Sequence, residues 1–239
     1  HSNNTAVGYA SLMAITTGGT NVAIGALSSD ALTIGANNVA IGYASLSTAT
    51  TATENVAIGV GAMEDVTAAV AVTRCVAIGK SALAGVGTQT TGIDGTVAIG
   101  YHAGYALTSG GGNVAIGYES GKAIGAADYN TSIGYQSFLK FGDDGASDHS
   151  SFNTSLGYLA MGGGHDTVAS NTGYKNVGIG TYALGGSTGT SDAITAHSNV
   201  AIGHVAMKLA TTASNNVVIG RDAGDAMTTT SDTVLIGYN

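Results

Sequence analysis

The side chains that could do chemistry in this chain are few, and their spacing does not assemble a catalytic centre. The six histidines are His1, His102, His149, His165, His197 and His204. They form no His-x-His or His-Glu-x-x-His pattern, and the single cysteine forms no Cys-x-x-Cys pair, so a zinc or hydrolytic metal site has no warrant. A thiolate nucleophile at Cys75 would need a base and an orienting partner beside it. The simpler reading of Cys75 is a small, buried, weakly polar residue. The run Gly110-Gly111-Gly112 lacks the Gly-Lys-Ser/Thr ending of a phosphate loop and reads as a turn. No catalytic residue, metal ligand or cofactor is assigned.

One segment is chemically distinctive. All three phenylalanines, Phe138, Phe141 and Phe152, fall close to Asp143, Asp144, Asp148 and His149. Aromatic faces beside carboxylates suit a glycan, and these Phe and Asp residues are the receptor-contact candidates. Two other readings stay open. The phenylalanines can form a small satellite core under an enlarged loop, and the carboxylates can be a solvated turn or an oxygen-ligand Ca²⁺ site, although Gly142-Asp143-Asp144-Gly145 does not match an EF-hand loop.

The elements that must position these residues come from a repeat. A pentapeptide, clearest as Asn21-Val22-Ala23-Ile24-Gly25, occurs thirteen times, with anchor glycines at Gly8, Gly25, Gly42, Gly59, Gly79, Gly100, Gly117, Gly134, Gly157, Gly180, Gly203, Gly220 and Gly237. Seven of the twelve steps are 17 residues and the others are 20, 21, 23, 23 and 23, so extra residues enter between anchors, as loops enter a fixed scaffold. The three 23-residue steps, from Gly134 to Gly203, predict a lateral bulge.

Counting from the anchor glycine, position −4 is Asn in ten copies, among them Asn21, Asn38, Asn55, Asn113 and Asn130, which predicts an amide ladder. Val or Thr at −3 and chiefly Ile at −1 describe a short strand with one strongly apolar face. Position −2 is usually Ala, so both faces look covered, and the Ala-lined face is expected to meet a neighbouring chain. Position +3 is Ser or Ala in all twelve copies that reach it, a steric ceiling. The glycine serves a turn with positive φ or a close backbone approach, as at Gly25, Gly42, Gly59 and Gly117. Tyrosine follows it at Tyr9, Tyr43, Tyr101, Tyr118, Tyr135, Tyr158 and Tyr238, either as a stripe for sugars or a partner chain or as coil-to-coil packing.

Seventeen residues are too few for a strand-helix-strand unit and enough for two short strands and two turns. The expected fold is all-β, a repeat β-solenoid or parallel β-roll of about 13 coils over residues 1–239, roughly 58 Å long at ~4.8 Å per coil. Only 9% of residues are charged and 6% aromatic, which predicts a narrow interior filled by small aliphatic side chains. The net charge is −8 and the seven Lys/Arg residues are scattered, which argues against nucleic acid or an anionic membrane as partner. No apolar run of about 18 residues is present, so no membrane insertion is expected of this segment. The chain opens in mid-repeat at His1-Ser2-Asn3, and a segment of a longer polypeptide is expected.

The consensus in Asn38-Val39-Ala40-Ile41-Gly42-Tyr43-Ala44-Ser45-Leu46 resembles the head repeat of YadA-like trimeric autotransporter adhesins, and it is similar to tandem repeats of phage tail-fibre proteins. The resemblance implies a left-handed parallel β-roll, a homotrimer, an extracellular setting on a virion appendage or bacterial surface, and binding to a host glycan or protein receptor. The coils here are longer than the 14 or so residues typical of YadA-like heads. The expected function is a non-catalytic structural and surface-binding segment of a phage tail fibre or similar appendage, ahead of a bacterial adhesin head. A polysaccharide-processing solenoid would need carboxylates clustered on adjacent coils, and no such register match is visible.

Overall fold

A computed structural model describes residues 3–66, 72–85, 92–139, 150–162, 172–186 and 195–238. It is all-β, a parallel β-solenoid with one three-residue strand per repeat and no helix among the described residues. The chain divides into two compact units, residues 1–113 and 114–239. The first carries β1 (Thr5–Val7), β2 (Val22–Ile24), β3 (Val39–Ile41), β4 (Val56–Ile58), β5 (Val76–Ile78) and β6 (Val97–Ile99). The second carries β7 (Val114–Ile116), β8 (Thr131–Ile133), β9 (Thr154–Leu156), β10 (Val177–Ile179), β11 (Val200–Ile202), β12 (Val217–Ile219) and β13 (Val234–Ile236).

Within each unit every strand pairs in parallel with the next, and like position meets like. Ala23 lies opposite Ala40, and Ala40 opposite Ala57. The enlarged steps do not disturb this register: Ile133 meets Leu156, Leu156 meets Ile179 and Ile179 meets Ile202 across the three 23-residue coils. The inserted residues therefore leave the sheet unchanged.

Each strand ends at its anchor glycine because the backbone there has a conformation closed to other residues. At Gly117 φ is +132°, and an added Cβ would collide with the carbonyl oxygen of Gly134 in the next coil. Both reasons expected for the glycine thus hold together. Beyond it, positions +2 and +4 take left-handed backbone in non-glycine residues, for example Ala44 and Leu46 or Gln136 and Phe138. These residues turn the coil, and the turn is locked to its neighbours: Leu46 N–H donates to the Ala62 carbonyl (2.9 Å) and Ala44 N–H to that of Ala26 (3.0 Å). The second strand expected in each coil is absent among the described residues, apart from single bridges such as Thr53 with Thr73. Left-handed turns and bends replace it.

The interior is built of residue rows. The −4 asparagines form hydrogen-bonded ladders: Asn38 Nδ2 donates to Asn21 Oδ1 (2.9 Å) and to the Ala52 carbonyl (2.7 Å), and Asn176 Nδ2 to Asn153 Oδ1 (3.2 Å) and the Ala196 carbonyl (2.7 Å). The +4 row, with Leu46, Met63, Leu83, Phe138, Met161, Leu184 and Met207, is buried and supplies the bulk of the hydrophobic filling. The +3 hydroxyls bond the next strand, as when Ser28 Oγ donates to the Ala40 carbonyl (3.0 Å). In the coils around β8 and β9 the −2 position becomes Ser, and Ser137 Oγ lies 2.6 Å from Ser155 Oγ in a fully buried hydroxyl chain.

One expectation is reversed. The −2 alanines, thought to meet a neighbouring chain, point into the coil and are 0% exposed at Ala23, Ala40, Ala57, Ala77, Ala98, Ala115 and Ala201, while the Val and Ile at −3 and −1 point outward and are only half-buried. The reason is space. The +4 side chains occupy the interior against position −2, and at Gly178 even a Cβ would stand 2.8 Å from Met161 Cγ. A branched residue is accommodated inside where the +4 position is glycine: Val218 is buried at −2 beside Gly224.

Candidate functional site

The outward face of the sheet carries the −3 and −1 side chains of the strands in each unit. In the first, Val22, Val39, Val56, Val76 and Val97 form one row and Ile24, Ile41, Ile58, Ile78 and Ile99 a second beside it. In the second, Thr131 and Thr154 replace Val in β8 and β9, so two hydroxyls interrupt an otherwise aliphatic row. β-branched side chains on a parallel sheet ordinarily lie under a second layer.

Position +1 borders this face on one side. Tyr118 and Tyr135 stack with ring centroids 5.0 Å apart and an interplanar angle of 8°, and Tyr135 and Tyr158 at 5.4 Å and 15°. Tyr182, at +2 of the following coil where Thr181 holds +1, meets Tyr158 edge-on at 5.6 Å. Its hydroxyl is pushed up from the usual tyrosine range by desolvation first and by its hydrogen bond to Tyr158 second. In the first unit Lys80 Nζ sits 5.9 Å from the Tyr101 ring centre, and in the second Arg221 does the same for Tyr238 at 5.3 Å. Within the Tyr118, Tyr135 and Tyr158 series the ring faces are taken up by one another. This favours coil-to-coil packing over a platform for sugar rings.

The phenylalanines separate by register. Phe138 occupies the +4 row and is 0% exposed, so it belongs to the core, and its nomination as a receptor contact is corrected. Phe152 stands at −5 and is 55% exposed, stacked at 5.5 Å on Tyr129, itself 62% exposed. Phe141, Asp143, Asp144 and Asp148 lie outside the described residues. Next along the same border, Tyr174 stacks on His197 at 4.9 Å and carries Lys175 Nζ over its ring at 5.6 Å. Tyr129, Tyr174, Lys175 and His197 were missed in the sequence. Their shared place at −5 or −6, immediately before the Asn row, was the available signal.

Several other reactive groups among the described residues are structurally engaged. Cys75 substitutes for Asn in the ladder: its N–H donates to Asn55 Oδ1 (2.9 Å) and its thiol to the Ile93 carbonyl (3.1 Å). Burial pushes the thiol up to about 11, so it is held as S–H and is a poor nucleophile. His102 stacks between Tyr101 (3.9 Å) and Tyr105 (4.5 Å), whereas His204 Nδ1 lies 3.4 Å from Asp222 Oδ1. Glu119 binds Lys122 at 2.6 Å and accepts from Gln136 Nε2 at 2.8 Å. Among the described residues no group of three or more His, Cys, Asp or Glu gathers into a metal-binding cluster, and no helix is long and apolar enough to cross a membrane.

No family model, curated protein or solved structure matches this chain. The outward face and its borders therefore carry the functional reading on their own chemistry.

Proposed function

We propose that this chain is a non-catalytic structural and surface-binding segment of a fibrous appendage, of the phage tail-fibre kind, that associates through the outward faces of its strands as a homotrimer. The single observation behind this is the half-exposed double row of Val and Ile over a sheet whose interior is already filled by Ala, Ser, Asn and the +4 side chains. A second copy supplies the matching cover, since the same rows repeat at the same spacing on every copy. The count of three follows the resemblance to YadA-like and tail-fibre repeats. The exposed Tyr129–Phe152 pair is the place assigned to contact with a host surface, and the setting is extracellular.

Ile58→Lys tests the assembly. An outward lysine stays solvated on an isolated chain, whereas in a packed interface it is an unpaired buried charge. The expected result is loss of the oligomer with the β-type circular dichroism retained. An oligomer that survives Ile58→Lys and Ile41→Lys together would sink the proposed interface.

A further inference from the structure

The tyrosine ladder of the second unit places phenol rings in a geometry suited to covalent coupling. Tyr118, Tyr135 and Tyr158 are 43%, 45% and 45% exposed, and each adjacent pair lies face to face at 5.0 and 5.4 Å with nearly parallel rings. The backbone fixes these distances: Gln136 N–H donates to the Tyr118 carbonyl (2.9 Å) and Leu159 N–H to that of Tyr135 (3.0 Å), so the residues that carry the rings cannot drift apart. The first unit provides the contrast. Tyr9 and Tyr43 are 80% and 55% exposed, but the coil between them carries Ala26 at the equivalent position, and neither has a tyrosine beside it.

We propose that Tyr118, Tyr135 and Tyr158 are an oxidative cross-linking site, at which haem-peroxidase-type one-electron oxidants working with hydrogen peroxide join neighbouring rings as dityrosine and staple successive coils of one chain. In each event two phenols each lose one electron and the hydroxyl proton. The two phenoxyl radicals couple through their ortho carbons, forming one C–C bond, and each ring regains aromaticity as its ortho hydrogen shifts to oxygen. The two electrons and two protons released reduce one hydrogen peroxide to two waters. Stacked pairs favour coupling because the second radical forms beside the first, before either can meet another molecule. The bond closes loops of 17 and 23 residues, and a cross-link of that kind stabilises by restricting the unfolded chain.

The test treats the whole chain with a haem peroxidase and hydrogen peroxide, then reads dityrosine fluorescence, chain size on a denaturing gel, and the linked peptides by mass spectrometry. The expected products are cross-links within single chains that join Tyr118 to Tyr135 and Tyr135 to Tyr158, each two hydrogens lighter than the parent, with a raised melting temperature. Tyr135→Phe keeps the ring stack but lacks the phenol, so it should fold normally, lose every link through position 135, and lose the thermal gain. Tyr43→Phe should change none of these. Links through Tyr9 or Tyr43 as frequent as those in the ladder would overturn the proposal. So would products that join separate chains in preference, or a Tyr135→Phe variant that couples as well as the parent.

Discussion

Asn38 Oδ1 accepts two hydrogen bonds from Asn55, one from its backbone N–H and one from its Nδ2, both at 3.1 Å. The same bidentate relation recurs between Asn199 and Asn216, at 3.0 Å for each bond. The side chains are no more than 1% exposed, so these amides have no water to fall back on.

Asn38→Ala would therefore take away the acceptor shared by two Asn55 donors and the amide donor to the Ala52 carbonyl, while Asn21 Oδ1 keeps the backbone N–H of position 38 and Asn55 Nδ2 keeps the Val72 carbonyl. Leaving buried polar groups unpaired costs about 1–3 kcal/mol each before relaxation, and the expected net loss is ~3 kcal/mol. Urea unfolding of the variant against the parent measures it.

Gly117→Ala combines two penalties, a φ of +132° and a Cβ driven onto the Gly134 carbonyl oxygen. The obstacle is backbone and cannot swing aside. The expected cost is on the order of 3–5 kcal/mol, from backbone strain plus overpacking, read as a lower thermal midpoint.

Phe138 and Phe152 should behave oppositely. Phe138→Ala removes a buried ring and is expected to cost about 3–5 kcal/mol. Phe152→Ala, at an exposed position, should leave stability within about 0.5 kcal/mol and, under the proposed function, weaken attachment to a host surface. Thermal denaturation with a cell-attachment assay on the same two variants separates the roles.

The strand triplets, the glycine close approach, the Asn ladder and the small +3 residue were all legible, because each recurs at a fixed offset and has an identifiable physical cause. Which strand face turns inward was not. Val-Ala-Ile is apolar on both faces, so a period of two fits either orientation, and the width of the interior decides. That width is set by the +4 residues, whose left-handed backbone aims Leu46, Met63 and Phe138 inside. Register could have separated the phenylalanines, since Phe138 shares its row with Leu46 and Met63, whereas Phe152 shares one with Asn37, Glu54 and Arg74. The second strand per coil failed for a related reason: alternating turns satisfy the backbone between coils without extended geometry.

Cys75 gives a pH dependence. Burial raises its folded-state value to about 11, above that of an unfolded thiol at about 8.5. The folded state thus binds the proton more tightly. The associated stability is fully present below about pH 8.5 and is lost as pH climbs towards 11, by roughly 2–3 kcal/mol. Tyrosines titrate in the same window, so the comparison is with Cys75→Asn, which restores the ladder amide. The parent should lose more stability than the variant between pH 8.5 and 11, and its thiol should resist alkylation until the chain unfolds.

The outward Val and Ile face is the centre of the functional account, and the mass of the chain in solution tests it most directly. Light scattering at several concentrations should give about three times the 23.3 kDa chain mass. A stable monomer at every concentration would contradict it, because the double aliphatic row would then face water with no partner.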